Sequence, residues 1–488
     1  KLPVTLLASA RGLADAAAGQ GYDVALKEHI AAWDEIWKTD IVIDGPREDQ
    51  LLLRACAYYT IGAVHEDEPY GATACGLTET LYGGGVFGDQ EIFVLPAVMV
   101  MYPPLAASML QYRHNVIPMS RDLRKARGLS KGAEYAWDAR WDGGEHTSPP
   151  YSENRRVTAY VGYAAWRYYL ATRDLKWLET VGWPILSETA DYWSVRVTHN
   201  REKDRYEVHK VMPPTEAPMP TYLVNNNSYT SGYVRMNMLS AIAAAKALGK
   251  KPPTKWVEVA DKLYLAVDKE RKMYRFHDSV NPAKPPHMAD VHWMIYPMEH
   301  FAGDVGTARV VRDFTGRKVA PGKVTDADRK FAVEVRQAIA DYYFAKTRPG
   351  FYSLTAGQNA GVYNDLNHRE GAYKEFMSWK KSVGGPFYVA NEMRGGGNPG
   401  QDVFLSGTGA YLTIAVYGLA GMRLRPEGIQ FNPLLPDEWK SMTLKNFHFG
   451  SGVYDVKITP GDKMKIKLVS GKKDVRIFRL NGKTLSGP

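Results

Sequence analysis

Apolar-striped segments that pair off across short turns, each pair separated from the next by a long loop, restrict this chain to few folds. Val157 to Thr172 and Leu175 to Val195 flank an Arg-Asp turn, and Thr230 to Leu248 and Lys255 to Val267 flank Gly249-Lys-Lys-Pro-Pro. Leu51 to Val64 is apolar nearly all round, the pattern of a helix buried between neighbours. Ala106 to Arg113, Asp326 to Ala345, Asn367 to Lys380 and Gly407 to Leu419 continue the series. The connections between pairs are rich in Pro, Gly, Asn and aromatics, the longest early one running from His65 to Gly88. Loops of that length are usually functional or disordered. Helical hairpins with short turns at one end and long loops at the other predict a mainly α toroid, its active site on the long-loop face. No short repeat period is visible, which argues against a solenoid.

Two flanking regions differ. Residues 1–45 read as a helical lead-in ending in the extended Ile41-Val-Ile-Asp44, and 46–425 as the toroid. Within 426–488 the apolar period becomes two, in Val453 to Thr459, Lys463 to Val469 and Asp474 to Leu480, with Pro-Gly-Asp and Ser-Gly-Lys-Lys between them. That pattern predicts a small antiparallel β module closing the chain.

One stretch of loop stands out chemically. Met212-Pro-Pro-Thr-Glu216-Ala-Pro-Met-Pro sets a single carboxylate among four prolines, then runs through Asn225-Asn-Asn-Ser-Tyr-Thr230 into an apolar helix. Proline fixes φ and removes a backbone donor, so Glu216 sits on a stiff loop, a suitable mount for a general acid; an incidental glutamate in a surface turn fits the same residues. A second carboxylate, Glu392, directly precedes a glycine run that leads into another apolar helix. Two carboxylates on separate loops of one helical toroid suggest glycoside hydrolysis, one protonating the leaving oxygen and the other activating water. Glycines before a helix also fit a phosphate cradle, but the segment lacks the Gly-Lys-Ser/Thr ending of a P-loop. Asp89 opens an apolar helix and is equally suited to capping it. Trp137, Asp138 and Trp141 interleave aromatics with acids, a composition that suits sugar binding and ordinary packing alike.

Composition narrows the alternatives. Aromatic residues make up 12% of the 488, enough for a carbohydrate cleft and equally at home in a large core. The formal net charge is +9, but the lysines and arginines read as scattered and no nucleic-acid-binding motif accompanies them, so no nucleic-acid partner is expected. No apolar run approaches ~20 residues, which excludes a membrane-spanning helix. The histidines show no metal-ligand spacing, and neither a metal nor a cofactor is expected. Cys56 and Cys75 fit two buried thiols or one disulfide. The chain opens at Lys1 without Met, so a removed leader or a fragment of something longer is expected, with export to the periplasm or beyond favoured over a cytoplasmic home.

With these segments assembled, the chain resembles glycoside hydrolase family 65. Phe87-Gly-Asp89-Gln-Glu91-Ile-Phe-Val-Leu-Pro96 is similar to the family's Phe-Trp-Asp-Thr-Glu-Ile-Phe-Met-Leu-Pro block, and Lys131-Gly-Ala-Glu-Tyr-Ala-Trp137-Asp138 to its Lys-Gly-Ala-x-Tyr-Pro-Trp-Glu block. Pro214-Thr-Glu216 followed by Asn225 to Thr230 resembles the block whose glutamate is the general acid, and Asn391-Glu392 through Phe404 to Ala410 resembles the corresponding segment of the family's hydrolases. The resemblance implies an (α/α)6 barrel, inversion at the anomeric carbon, Glu216 as acid and Glu392 as base. It also implies a substrate-binding set of Phe87, Asp89, Trp137, Asp138, Asn226 and His287, with an oligosaccharide or glycoside as partner; a homodimer is left open.

Three departures accompany it. His287-Met288 stands where the family has a glucose-holding Lys-Gln pair, Gly88 where it usually has Trp, and the family's large N-terminal β-sandwich has no counterpart, as expected of a truncated, cleaved or shortened chain. The expected activity is an inverting α-glycosidase acting on a small α-glucoside or related oligosaccharide. The alternatives are a disaccharide phosphorylase using Ser406-Gly-Thr-Gly for phosphate, a carbohydrate-binding protein without turnover, and a lyase of acidic polysaccharide.

Overall fold

A computed structural model describes residues 4–67, 69–78, 81–214, 223–281, 283, 290–346, 352–393 and 403–486. The helical segments pair into an (α/α)6 toroid. Arg156–Thr172 turns back onto Trp183–Arg196 through Arg173, held left-handed at φ 56°, and Asp174, whose carboxylate accepts from the Trp177 N–H and starts the next helix. Ser228–Ala247 packs against both, and Thr254–Lys262 follows the Pro-Pro turn.

That last helix stops earlier than its apolar pattern suggests. Leu263 is already extended, the Tyr264 N–H donates to the Tyr206 carbonyl, and Val267–Asp268 pairs with Met273–Tyr274. Gly303–Thr315, amphipathic and stopped by the left-handed Gly316, lies outside the predicted series, and so does a second helix, Thr355–Asp365. The second reads TAGQNAGVYND, poor in helix formers, yet it is buried along most of its length. Its glycines explain this: a Cβ on Gly357 would lie 2.7 Å from the Ala410 carbonyl oxygen, and one on Gly361 would lie 2.1 Å from the Tyr296 ring. Close approach of neighbouring elements decides this helix, and propensity does not.

At the end of the chain, Ser441–Phe449, Gly452–Thr459 and Lys463–Ser470 form an antiparallel sheet with alternating burial. Asp40–Asp44, from near the start, is its fourth strand, with Ile41 opposite Leu444. A second sheet joins Met422–Arg425, Gly428–Phe431, Ile477–Arg479 and Thr484–Ser486, and there Ile477–Arg479 runs parallel to Gly428–Phe431. Cys56 and Cys75 are separate buried thiols.

The core holds ionisable groups whose state depends on burial. His292 is 2% exposed and His300 fully buried; burial lowers both to about 4, against a weaker upward pull from Asn359 on the first and Asp313 on the second. In an unfolded chain these rings titrate near ~6.5. As pH falls from about 6.5 toward about 4 the unfolded chain therefore binds protons that the folded one does not, and stability is lost across that window, at up to ~1.4 kcal/mol per pH unit for each ring. Urea midpoints measured at pH 7 and pH 5 should show this fall, and His292→Gln, which keeps a side-chain amide near Asn359, should make it shallower.

Candidate active site

The proline-rich loop is held at its base. Val211 and Val224 bridge antiparallel, and the Met212 N–H donates to the Glu153 carbonyl at 3.1 Å. Glu216 itself lies outside the described residues, as does His287. The three asparagines that follow tie this base down. Asn225 Oδ1 accepts from the Lys210 N–H at 3.0 Å, and Asn227 caps Ser228–Ala247 by accepting from Thr230 at 2.8 Å. Asn226, expected to meet substrate, is 1% exposed and held left-handed at φ 55°. Its Oδ1 accepts from the Val208 N–H and its Nδ2 donates to Asp278 at 2.6 Å, so its amide is committed to the scaffold.

The segment Phe87 to Glu91 is anchored from behind. Arg113, fully buried, donates from Nε and Nη2 to the two oxygens of Glu91 at 2.8 and 2.9 Å, and Nη2 also reaches the Phe87 carbonyl at 3.0 Å. Burial alone would weaken the guanidinium charge; the Glu91 carboxylate more than offsets it and raises the Arg113 pKa. The Gln90 side chain accepts from the Ala72 N–H at 2.7 Å. Gln90–Val94 is a π-helical turn, a distortion frequent at functional sites. Asp89 does not cap that turn; it accepts from the Ser406 hydroxyl at 2.8 Å, joining this segment to the helix Leu405–Thr413. Gly88 has no room for a larger residue, since a Cβ there would lie 2.9 Å from the Tyr160 ring and 3.0 Å from Val157. Gly88→Ala should cost about 1 to 3 kcal/mol by overpacking, read as a lowered urea midpoint.

Trp137 and Asp138 sit on a tight loop organised by Glu145. Its carboxylate accepts from the N–H groups of Trp137 at 2.8 Å and Asp138 at 3.2 Å, and from Thr147. Asp138 is buried and lies 3.2 Å from His146 Nδ1. A Cβ on Gly85 would fall 1.6 Å from Asp138 Oδ1, so glycine there makes room for the carboxylate. The Trp137 ring meets Phe87 edge-on at 5.3 Å and carries the Arg156 guanidinium 4.7 Å from its centre. Arg156 Nη1 in turn reaches the Met212 carbonyl, the first residue of the proline-rich stretch, at 3.4 Å. Arg156 also lies in the field of Asp290, a 2% exposed carboxyl whose oxygens find no hydrogen-bond partner among the described residues. Burial raises Asp290 to about 8, with Arg156 pulling the other way, so it stays protonated at neutral pH.

Glu392 is half-buried, and its Oε2 accepts from the Tyr82 hydroxyl at 2.7 Å. Burial, then the hydrogen bond to Glu392, raises the Tyr82 pKa, so the phenol remains a neutral donor. Tyr82 meets Phe87 edge-on at 5.5 Å. Beneath them Ala74, Cys75 and Phe404 form a small cluster of their own, with Tyr82, Phe87 and Leu354 packed against it. The long loops thus build a local core that holds Glu392 in place, helped by the Ser353 N–H, which donates to its carbonyl at 2.7 Å. The arrangement is continuous: Glu392, Tyr82, Phe87, Trp137, Arg156 and the base of the proline-rich loop touch in turn. Tyr82, Arg113 and Arg156 were not candidates from sequence. Tyr82 stands in Leu81-Tyr-Gly-Gly-Gly, an aromatic of the long glycine-rich loop just ahead of Phe87; Arg113 ends one predicted helical segment and Arg156 precedes another, with no local mark of a role.

A half-buried carboxylate with a neutral hydroxyl partner, linked through that partner to a run of aromatic rings, is equipped to take a proton from water next to a stacked sugar ring. Comparisons with known proteins find relatives along most of this chain. The kojibiose hydrolase of Mucilaginibacter mallensis is 28% identical over 438 residues, covering 87% of this chain and 58% of that protein. The kojibiose phosphorylase of Caldanaerobacter subterraneus subsp. tengcongensis is 27% identical over 509 residues, covering 96% and 63%. The chain thus spans about three-fifths of the length of these relatives. A solved structure of a protein from the human microbiome superposes with a TM-score of 0.74 at 18% identity, covering 99% of this chain and 71% of that one, which shows the shared fold. The model of the glycosyl hydrolase family 65 central catalytic domain matches residues 58–302 and that of its C-terminal domain residues 422–486, and the chain belongs to glycosyl hydrolase family 65.

Proposed function

We propose that the chain is an inverting α-glycosidase acting on a small α-glucoside or related oligosaccharide. In this reading Glu216 gives a proton to the glycosidic oxygen. Glu392 takes one from a water that attacks the anomeric carbon from the opposite face, which inverts it. Phe87, Asp89, Trp137 and Asp138 hold the sugar, and the helical toroid forms the catalytic unit. The observation that carries the reading is the half-buried Glu392, held by the Tyr82 hydroxyl, whose ring leads through Phe87 to Trp137. Relatives named kojibiose hydrolase support it, and make an α-linked glucose disaccharide the first substrate to try.

Relatives named kojibiose phosphorylase keep phosphorolysis as the second reading. Ser406 bears on it, because its hydroxyl donates to Asp89; phosphate at the Ser406 turn would lie against that carboxylate. Incubation of kojibiose and other α-disaccharides with and without phosphate, followed by NMR of the first-formed anomer, separates the readings. Phosphate-independent release of β-glucose is expected. Release of glucose 1-phosphate only when phosphate is present would overturn the proposal, and binding without turnover across the panel would point to a carbohydrate-binding protein.

A further inference from the structure

The chain's surplus positive charge is concentrated in the last part of the sequence. Residues 441–486 hold ten lysines and arginines against three aspartates, a surplus of seven in a chain of formal net charge +9. In sequence these residues alternate with apolar ones and read as scattered; the strand register gathers them. Ser441–Phe449, Gly452–Thr459 and Lys463–Ser470 lie side by side, and on their outward face Lys445, Lys457, Lys463, Lys465 and Lys467 are all exposed. Lys457 stands directly opposite Lys465. Lys467 stands opposite Asp455, whose carboxylate is engaged by the Asn446 N–H at 3.0 Å. Lys472 and Lys473, exposed in the next turn, extend the patch. Among the described residues none of these seven lysines is in an ion pair.

Protection of a sheet edge does not account for the pattern. Lysines on Lys463–Ser470, an edge strand, would discourage another chain from adding to it. Lys445 and Lys457 lie on interior strands and have no part in that. Like charges directly opposite on neighbouring strands also cost stability. Alternate side chains along a strand are roughly 7 Å apart and cross-strand neighbours roughly 5 Å apart, so the face is a grid of flexible point charges.

We infer that this sheet face docks a linear anionic polysaccharide. A grid of ammonium groups matches carboxylate or sulfate groups repeated along a chain, with no demand for a planar fork. Within 441–486 the exposed large apolar residues are Val469 and Leu480, so the module offers no exposed ring on which bases would stack and no aromatic anchor for a lipid interface. The inference is independent of the catalytic reading.

The test compares binding of the full chain to a heparin oligosaccharide, a DNA duplex of equal charge and vesicles containing phosphatidylserine, at several salt concentrations. Polysaccharide binding that weakens steadily with salt is expected. The triple variant K457Q/K465Q/K467Q should weaken it by roughly tenfold or more at low salt, while K203Q/K251Q/K330Q, which removes the same charge from other exposed positions, should leave it within about twofold. Equal loss in both variants would mean a general net-charge effect and overturn the site. Tighter binding of DNA or vesicles than of the polysaccharide would overturn the proposed occupant. Unchanged far-UV circular dichroism and melting temperature in both variants exclude misfolding as the cause.

Discussion

Glu392→Gln is expected to lower kcat on an α-disaccharide by about 10² to 10⁴, the usual worth of a general base, with KM changed little. The amide is nearly isosteric and can still take the Tyr82 hydrogen bond, so the fold and the sugar contacts persist while the proton acceptor is gone. Tyr82→Phe is the informative companion. It removes a hydrogen bond to a charged group, worth about 1.5 to 3 kcal/mol, and should lower kcat by a smaller factor than loss of the base itself. Initial rates over a substrate series, with melting temperature as a control, check both. Near-normal turnover by the Glu392→Gln variant would remove this residue from the mechanism and revive phosphorolysis, where phosphate itself attacks the anomeric carbon.

Arg113→Met should destabilise the protein by about 3 to 5 kcal/mol, because it strands the Glu91 carboxylate in the interior without a counter-charge. Both side chains are 0% exposed, and the guanidinium also holds the Phe87 carbonyl. Breaking this pair therefore loosens the segment that presents Phe87 and Asp89 as well as the core. The double variant Arg113→Met with Glu91→Gln should recover part of the loss, since no buried charge is then left alone. Denaturant unfolding of the two single variants and the double closes the cycle. Additive single effects would show that the pair contributes nothing as a pair.

The local periodicities were informative about architecture. Helical segments from Val157 to Val195 and from Asp326 to Ala345, and the period-two strands after Val453, are set by which residues recur on one face, and the structure has elements at those places. The segment Thr355–Asp365 was not legible because its glycines and asparagines serve neighbours distant in sequence. Lys255 to Val267 departs from a single helix for the opposite reason: its apolar spacing suits a helix, while Leu263 to Val267 has a better set of partners in the extended form.

The candidate site divides in the same way. Phe87, Asp89, Trp137 and Asp138 stand in short blocks whose composition alone marks them, and they meet in space through the Phe87–Trp137 contact and the Val86–Ala139 bridge. Asn226 also stands in such a block, but its amide serves the base of the proline-rich loop.

Residue spacing is a local property, and it sufficed for the helical hairpins and the terminal β pattern. Only the tertiary structure decided that Tyr82 holds Glu392 from 310 positions away, that Ser406 holds Asp89 from 317, and that lysines scattered along three strands share one face. Those contacts follow from closure of the toroid and from strand register, which no local pattern specifies.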